Sequence, residues 1–476
     1  MKNDMKLYDV IIIGAGPAGM FTAQYILKNT KYAQVLLVDK GNSAEERKCV
    51  GECGSCTRKD RCSILCGVGG AGLFSDGKLV LDLHAGGRLD AVSILTEQEK
   101  KDLTSYIVET LKSYDGVSEM GPSISSEEKE EWRNKLKKEG LNIRHYDVLH
   151  MGTNNLQHIT MNFIEDLQMN PRFTLKTKCE ITEIRNTSDK KTILYEKNGE
   201  IYITENVVFA VGKTGSNWLK EVFESEQIHF LKIKTYIGIR LEASHDSIKK
   251  LFQYSFDPKI WAYYGDQKVK THCFCRHGEV ISSNYMGYPI IGGHTRYTKN
   301  NVVLEDSISK KSNFNVLMSV DSGENKILDI LDKMKRLNPD GGIVQSLSDF
   351  LHPERQAQSM YMYKKNRYAY GDIRSILDEL DNSGEKIADF IMRLGKIIAG
   401  IVNDDNLVYA PALEWFMDSV EVDEHMETTH KGWFAVGDGA GLSQGIVHAA
   451  ATGIIAADEI CSRMEGGDWC LQESFI

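Results

Sequence analysis

The sequence predicts an α/β fold in which a Rossmann-like, dinucleotide-binding domain is assembled from distant parts of the chain and carries an inserted α+β substrate domain. Three observations predict it. A glycine turn, Gly14 to Gly19 in "YDVIIIGAGPAGMFTAQYIL", sits between an apolar β-branched run and a helical pattern. A second turn, Gly437-Asp438-Gly439-Ala440, sits in the same strand-to-helix setting near the other end. Between them, residues 236–400 show strands and helices but no dinucleotide signal.

Val10 to Ile13 reads as a strand. Gly14 permits the tight turn, Gly16 lets a pyrophosphate approach the backbone, and Gly19 lets helix and strand pack closely. Through Pro17 and Ala18 the chain enters a helix whose N-terminus offers N–H groups and a positive dipole end to phosphates. "AQVLLVDKG" is a second strand, ending at Asp39 and Lys40. An acid about twenty residues past the glycines is where a ribose-binding carboxylate belongs. Residues 91–150 are charged and helix-like and read as a solvated helical insertion. Residues 151–235 hold a helix and alternating strands with "KNGE" as a hairpin turn, then "ENVVFAVGKTGSNWL", a strand closed by Gly212. The expected division is 1–235 and 401–476 for the dinucleotide domain, and 236–400 for a substrate or cap domain. No second GxGxxG unit occurs in the middle, so NAD(P)H, if used, is expected as a transient donor.

At 476 residues, 42% hydrophobic and 26% charged, the chain has the composition of a folded protein of two or three domains. A net charge of −10 argues against bulk electrostatic binding of nucleic acid. No run of eighteen apolar residues offers a membrane span. The N-terminal "MKNDMKLYDV" lacks the apolar core of a signal peptide, so the ten cysteines are expected in a reducing cytoplasm.

Five of those cysteines fall close together: Cys49, Cys53, Cys56, Cys62 and Cys66. Thiolates so spaced suit zinc or an iron–sulfur cluster, although the spacing matches neither a zinc ribbon nor a ferredoxin run. Arg47, Lys48, Arg58, Lys59 and Arg61 would lower the thiol pKa values. Three readings stand: a metal knuckle with Cys49, Cys53, Cys56 and Cys62 as ligands, a redox relay in which Cys66 takes part, and a plain reduced loop. Cys273 and Cys275 are expected on one face of a strand and His272 on the other, as a metal site or as ordinary buried cysteines.

The C-terminal "KGWFAVGDGAGLSQGIVHAAATGIIAADEI" resembles the second fingerprint of glutathione-reductase-type flavoproteins, and Glu205 to Leu219 resembles their internal strand. With "CGVGGAGLFSDGKL", "GTNNL", "YIGIRLE", "CFCRHGEVI" and "GDIRSIL", the chain resembles the bacterial FAD-dependent (FAD-utilising) dehydrogenases of that superfamily. The resemblance implies a glutathione-reductase-type FAD-binding domain and FAD as cofactor. It implies that Asp438 holds the ribityl–phosphate part, and that the helix entered through Gly445 and Ile446 points at the flavin. Gly69, Gly70, Ala71 and Gly72 would lie against the ring, with Ser75, Asp76 and Lys78 near its pyrimidine side or the substrate. Alternatively, Asp76 and Lys78 only pair to close the loop. Arg276, and more weakly His294 and Arg296, would face an anionic substrate group. The implied activity is hydride transfer between flavin N5 and a small or unsaturated substrate, as dehydrogenase or reductase, with an electron-donor protein as a further implied partner. A flavin monooxygenase, an RNA-modifying reductase and a non-catalytic flavin- or metal-binding regulator remain as alternatives; the oligomeric state is left open.

Overall fold

The computed structural model describes residues 5–48, 62–75, 77–114, 118–187, 189, 191–295, 309–321, 324–354, 368–414 and 418–466. It is a mixed α/β structure organised around two large sheets. In the first, β1 (Val10–Ile13), β2 (Val35–Val38), β3 (Phe173–Lys176), β4 (Asn206–Phe209) and β5 (Trp433–Ala435) lie in the order β5-β4-β1-β2-β3. Every neighbouring pair is parallel. The sequence explains the placement of the central strands. "VIII" and "VLLV" are apolar at every position, which suits strands covered on both faces, and both are wholly buried.

Helix α1 (Pro17–Asn29) leaves β1, α2 (Thr153–Met169) precedes β3, and α3 (Ile446–Glu465) follows β5. Helices α1 and α3 pack side by side and run in the same direction. The Thr22 hydroxyl donates to the carbonyl oxygens of Ala18 (2.8 Å) and Gly453 (3.0 Å). Further along, Tyr25 donates to Asp458 (2.7 Å) and the Lys31 amide to Glu465 (3.2 Å). The approach is close: a Cβ on Gly453 would stand 2.3 Å from the Ala18 oxygen.

Among the described residues the second sheet has eight strands, in the spatial order 369–370, 343–346, 407–414, 235–244, 311–320, 267–275, 259–264 and 142–144. All its pairs are antiparallel except that of the first two strands. One face, with Ile237, Ile239, Leu241 and Phe314, shares a core with the helices at 324–337 and 383–397. Side chains of alternating parity on the same strands, Tyr236, Arg240 and Glu242, belong to the other face, where charges are buried. There Glu414 is paired with Lys270 at 2.7 Å, and Asp257 with Lys259 at 2.8 Å.

Two stretches differ from the division expected at 91–150 and 401–476. Leu407–Glu414 pairs with Thr235–Ser244 and Ile343–Ser346, so the chain completes the second sheet before returning to the first. An apolar run shows that a strand is buried, but not between which neighbours. Within 91–150, the helix Glu97–Ser113 buries Leu103, Ile107 and Leu111 in the first core, while Leu136 and Leu141 join the second. The helices at 97–113 and 126–138 do start at capping boxes, Thr96 with Glu99 and Ser125 with Glu128, and their outer faces are charged. "KNGE" makes the expected hairpin, with the Gly199 amide donating to the Glu196 oxygen at 2.8 Å. Among the described residues no helix is long and apolar enough to cross a membrane.

The contact between α1 and α3 admits a direct check. Gly453→Val should cost about 3 kcal/mol through overpacking against backbone, visible as a lower thermal midpoint by circular dichroism. An unchanged midpoint would show that the helices are not pressed together at this glycine.

Candidate functional site

Strand β1 leads through α1 to β2 on one side, while β4 and β5 lie on its other side. The strand order therefore reverses between β1 and β4, and the carboxyl ends of the strands beside such a reversal form a crevice where α/β proteins bind ligands. Four carboxyl ends deliver four turns to this edge: Gly14–Gly19 after β1, Asp39-Lys40 after β2, Ala210–Gly212 after β4, and Gly437-Asp438 after β5.

Backbone contacts join these turns. Gly14 has φ +111°, and a Cβ there would stand 2.2 Å from the Ala210 carbonyl oxygen, so only glycine suits the position. Gly19 is pressed onto the Gly14 carbonyl in the same way, at 2.0 Å. The Asp39 carboxylate accepts the amides of Ala15 (2.9 Å) and Gly41 (2.7 Å), bracing the first turn. Burial pushes this carboxyl up, against those two bonds and the charges of Arg47 and Lys40. Lys40 donates to the Thr214 oxygen at 3.3 Å, tying the end of β2 to the loop after β4. Gly439 lies on the backbone of Gly212. Asp438 is half-buried and accepts the Ser443 hydroxyl at 2.6 Å; desolvation raises its carboxyl too, opposed by Lys213 and Ser443.

The glycine loop closes over this edge. The Gly69 amide donates to the Ala15 oxygen at 2.7 Å, and a Cβ on Gly70 would stand 3.0 Å from Gly16 Cα. Gly72 faces Pro17 at the start of α1 and Ile446 at the start of α3, whereas Ala71 is exposed. Helices α1 and α3 start at Gly16 and Gly445, and neither has a side-chain cap or an acid in its first turn. Ser75 closes its own turn, donating to the Gly72 oxygen (2.8 Å) and accepting from the Gly77 amide (3.2 Å). Lys78 donates to the Phe274 oxygen. Asp76 lies outside the described residues.

Arg47 organises the loop, a role that its sequence context did not reveal. Its guanidinium donates to five carbonyl oxygens: Ser63 (2.9 Å), Ile64 (2.8 Å), Gly67 (3.3 Å), Val68 (2.6 Å) and Gly70 (2.8 Å). Burial pulls its pKa down to about 10. As one basic residue in a cysteine-rich run it suggested thiol activation, but its donors go to the glycine-loop backbone. Cys49, Cys53 and Cys56 lie outside the described residues. Cys66 is buried, its amide donating to the Cys62 oxygen at 2.9 Å. Among the described residues no three His, Cys, Asp or Glu side chains are grouped to hold a metal.

Cys273 and Cys275 do not follow the simple alternation expected. The pairing shifts between His272 and Cys275, and Cys273 has φ +52°. The bulge is fitted to Arg240, which is fully buried. Arg240 donates to Asn313 (2.6 Å), Asn315 (2.8 Å), the Cys273 carbonyl (3.0 Å) and the Cys275 sulfur (3.1 Å). His272 Nε2 lies 3.8 Å from Glu414, and burial pushes the imidazole pKa down to about 3 against that carboxylate's pull. Burial would raise Glu414, but His272 and Lys270 outweigh it and hold the carboxyl at about 2. Arg276 pairs with Glu119 at 2.9 Å and lies over the Phe256 ring. The side chain of His294, and Arg296, lie outside the described residues.

Two side chains at this edge escaped sequence reasoning. Arg88 Nη1 and Gln444 Oε1 are both buried without a hydrogen-bond partner among the described residues. The Arg88 amide donates to the Leu442 oxygen at 2.9 Å, which places both residues by the entry to α3. The glycine pair in "GGRLD" was the available signal. An apolar cleft borders the glycine loop, lined by Pro17, Phe21, Gly69, Gly72, Phe163 and Ile446, among others. A smaller one is lined by Lys78, His150, Phe256 and Arg276.

No family model and no curated protein matches the chain. Solved structures do align with it. A flavoprotein/dehydrogenase from Cytophaga hutchinsonii aligns with 98% of this chain and 81% of its own, at 8% identity and a TM-score of 0.42. L-proline dehydrogenase from P. horikoshii aligns over 98% and 95%, at 10% identity and 0.40. E. coli quinol fumarate reductase aligns over 99% and 73%, at 13% identity and 0.41. At such scores and identities these likenesses carry no weight for fold or activity.

Arg47→Ala should release the glycine loop and make the segment 62–75 cut several times faster in limited proteolysis; an unchanged cleavage rate would show that the carbonyl contacts do not hold it. Acid should weaken the second sheet. The folded pKa of His272 lies below its ordinary value of 6.5, and that of Glu414 below its ordinary 4.5. Stability present at neutral pH is therefore lost as pH falls, from about 6.5 toward 3 through His272 and from about 4.5 toward 2 through Glu414. Glu414→Gln should remove the second part of that loss and lower stability at pH 7 by about 3 kcal/mol, because Lys270 loses its buried partner. Urea midpoints measured from pH 7 to pH 2 check both.

Proposed function

We propose that this chain is an FAD-dependent oxidoreductase with its cofactor along the carboxyl edge of the parallel sheet. One observation carries the reading. Four strand ends and the starts of two parallel helices bring Gly14–Gly19, Asp39, Gly212, Gly437-Asp438 and the glycine loop onto a single edge, although they are spread over most of the chain.

The residues fit the group chemically. A helix start carries roughly half a positive charge, and α1 and α3 bring two such ends together with no acid in either first turn. A diphosphate laid against α1 meets amides and glycine backbone, because Pro17, Ala18 and Gly19 present no bulky side chain. Asp39 keeps lone pairs beyond its two backbone bonds and stands where a ribose hydroxyl would donate. Asp438 is held by Ser443 for the same task on the ribityl–phosphate chain. The start of α3, with Arg88 and Gln444 beside it, offers positive potential, a donor and an acceptor to the polar edge of a flavin ring. Bound FAD supplies hydride transfer at N5; the protein's part is to hold it, exclude water with the glycine loop, and present a small substrate from the side of the second sheet. The absence of a second GxGxxG unit from the sequence favours a transiently bound external donor or acceptor over a resident nicotinamide.

Freshly purified protein should carry FAD, seen as a yellow spectrum and quantified after denaturation, and Asp438→Ala should purify with most of it lost. A wild type that neither contains FAD nor takes it up would overturn the proposal, as would a fully yellow variant for the role of Asp438.

A further inference from the structure

We infer that Arg88 and Gln444 form a clamp for a planar imide, the C(=O)–NH–C(=O) edge of a flavin ring, and that Arg88 shifts the bound ring toward its reduced state. The inference rests on the FAD reading and deepens it, by naming the side chains that read the ring itself.

Two segments far apart in the chain are fastened together at this place. The Arg88 amide donates to the Leu442 oxygen at 2.9 Å, and His448 Nε2 donates to the Leu83 oxygen at 3.1 Å. Between these bonds the backbones run close. A Cβ on Gly86 would stand 3.5 Å from the Gln444 carbonyl oxygen, and one on Gly87 would stand 2.6 Å from the His448 ring. Arg88 and Gln444 therefore start from neighbouring backbone. Ser443, the residue before Gln444, donates to Asp438 at 2.6 Å. Ile446, two residues after Gln444, faces Gly72 of the glycine loop. Between them a Cβ on Gly445 would meet no atom within 4 Å. On the FAD reading Asp438 takes the ribityl–phosphate chain and the glycine loop lies against the ring. Arg88 and Gln444 then stand by the ring's polar edge.

The two side chains are complementary, yet they do not pair with each other. Arg88 Nη1 is a donor and Gln444 Oε1 an acceptor; both atoms are shielded from water, and neither has a hydrogen-bond partner among the described residues. Polar atoms in such a place are costly to leave unmet. Burial pulls the Arg88 pKa down. The nearest acid in the sequence, Asp90, is taken by His84 and by Lys100 at 2.7 Å. A ligand that answers both atoms must carry an acceptor and a donor side by side on one frame. A carboxylate would suit Arg88 but set its lone pairs against Gln444. An ammonium group would suit Gln444 but be repelled by Arg88. An imide meets both: a carbonyl oxygen accepts from Arg88, and the N–H beside it donates to Gln444 Oε1. In a flavin these are N3–H and a carbonyl group next to it. A hydride from an organic donor brings N5 one hydrogen nucleus and two electrons, so the ring gains one negative charge, part of it on carbonyl oxygen. A guanidinium held against that oxygen without a counter-ion favours the reduced ring, and the start of α3 adds to the effect.

The test has two arms. Flavin-free protein is titrated with riboflavin and with 3-methylriboflavin, in which a methyl group replaces the N3 hydrogen. The midpoint potential of the FAD-loaded protein is measured against a reference dye. The wild type should bind the methylated flavin at least tenfold more weakly than riboflavin, and Gln444→Leu should bind the two alike. Arg88→Met should weaken reduced FAD relative to oxidised FAD at least tenfold, read as a two-electron potential lower by about 30 mV. Arg88→Lys should restore most of that difference. The wild-type comparison needs no variant, so it decides the clamp even if Arg88→Met does not fold. Yellow protein that binds both flavins equally would overturn the clamp and leave the FAD proposal standing. An unchanged potential in Arg88→Met would overturn the role given to its charge. Protein that takes up neither riboflavin nor FAD would overturn the FAD proposal itself.

Discussion

Two helix starts of the same polarity share one edge of the molecule, and this is the constraint on which the rest depends. Helices α1 and α3 are pressed together through Gly453 and run in parallel, so their positive ends cannot be separated. Alone, such an arrangement is unfavourable. It is offset by what gathers there: two carboxylates, the buried Asp39 and the half-buried Asp438, both raised by desolvation. The carboxylates are fastened to backbone amides and to a serine, so the arrangement is set before any ligand arrives.

The contacts that hold this edge are mostly backbone on backbone. Gly14 lies on Ala210, Gly19 on Gly14, Gly70 on Gly16 and Gly439 on Gly212. Side chains add to this where one group serves several backbone atoms at once, as Asp39 does for two amides and Arg47 for five carbonyl oxygens. The second sheet is built differently: an apolar face covered by helices and an opposite face of buried ion pairs and a buried arginine.

Much of the first construction was legible in the sequence, because glycine turns after apolar strands leave few alternatives. Gly14–Gly19, Asp39, Gly212 and Gly437-Asp438 were each placed at a strand end, and the structure brings those ends to one edge. The strand pairings were not legible. Nothing in "LVYAPALE" names its neighbours, so the expected boundary at residue 400 fell before a strand of the second sheet. The alternation expected at Cys273 and Cys275 failed because a bulge is set by a distant residue, Arg240. Arg47 was missed for a related reason: its partners are backbone carbonyl oxygens, which leave no trace in residue type.

The central proposal is that the start of α1 holds the diphosphate of a flavin dinucleotide, with the start of α3 beside its ring. Titration of flavin-free protein with FAD and with riboflavin, followed by flavin fluorescence at two salt concentrations, tests it most directly. The account predicts that FAD binds at least a hundredfold more tightly than riboflavin and loses part of that advantage in high salt. Equal binding of the two flavins, independent of salt, would contradict it.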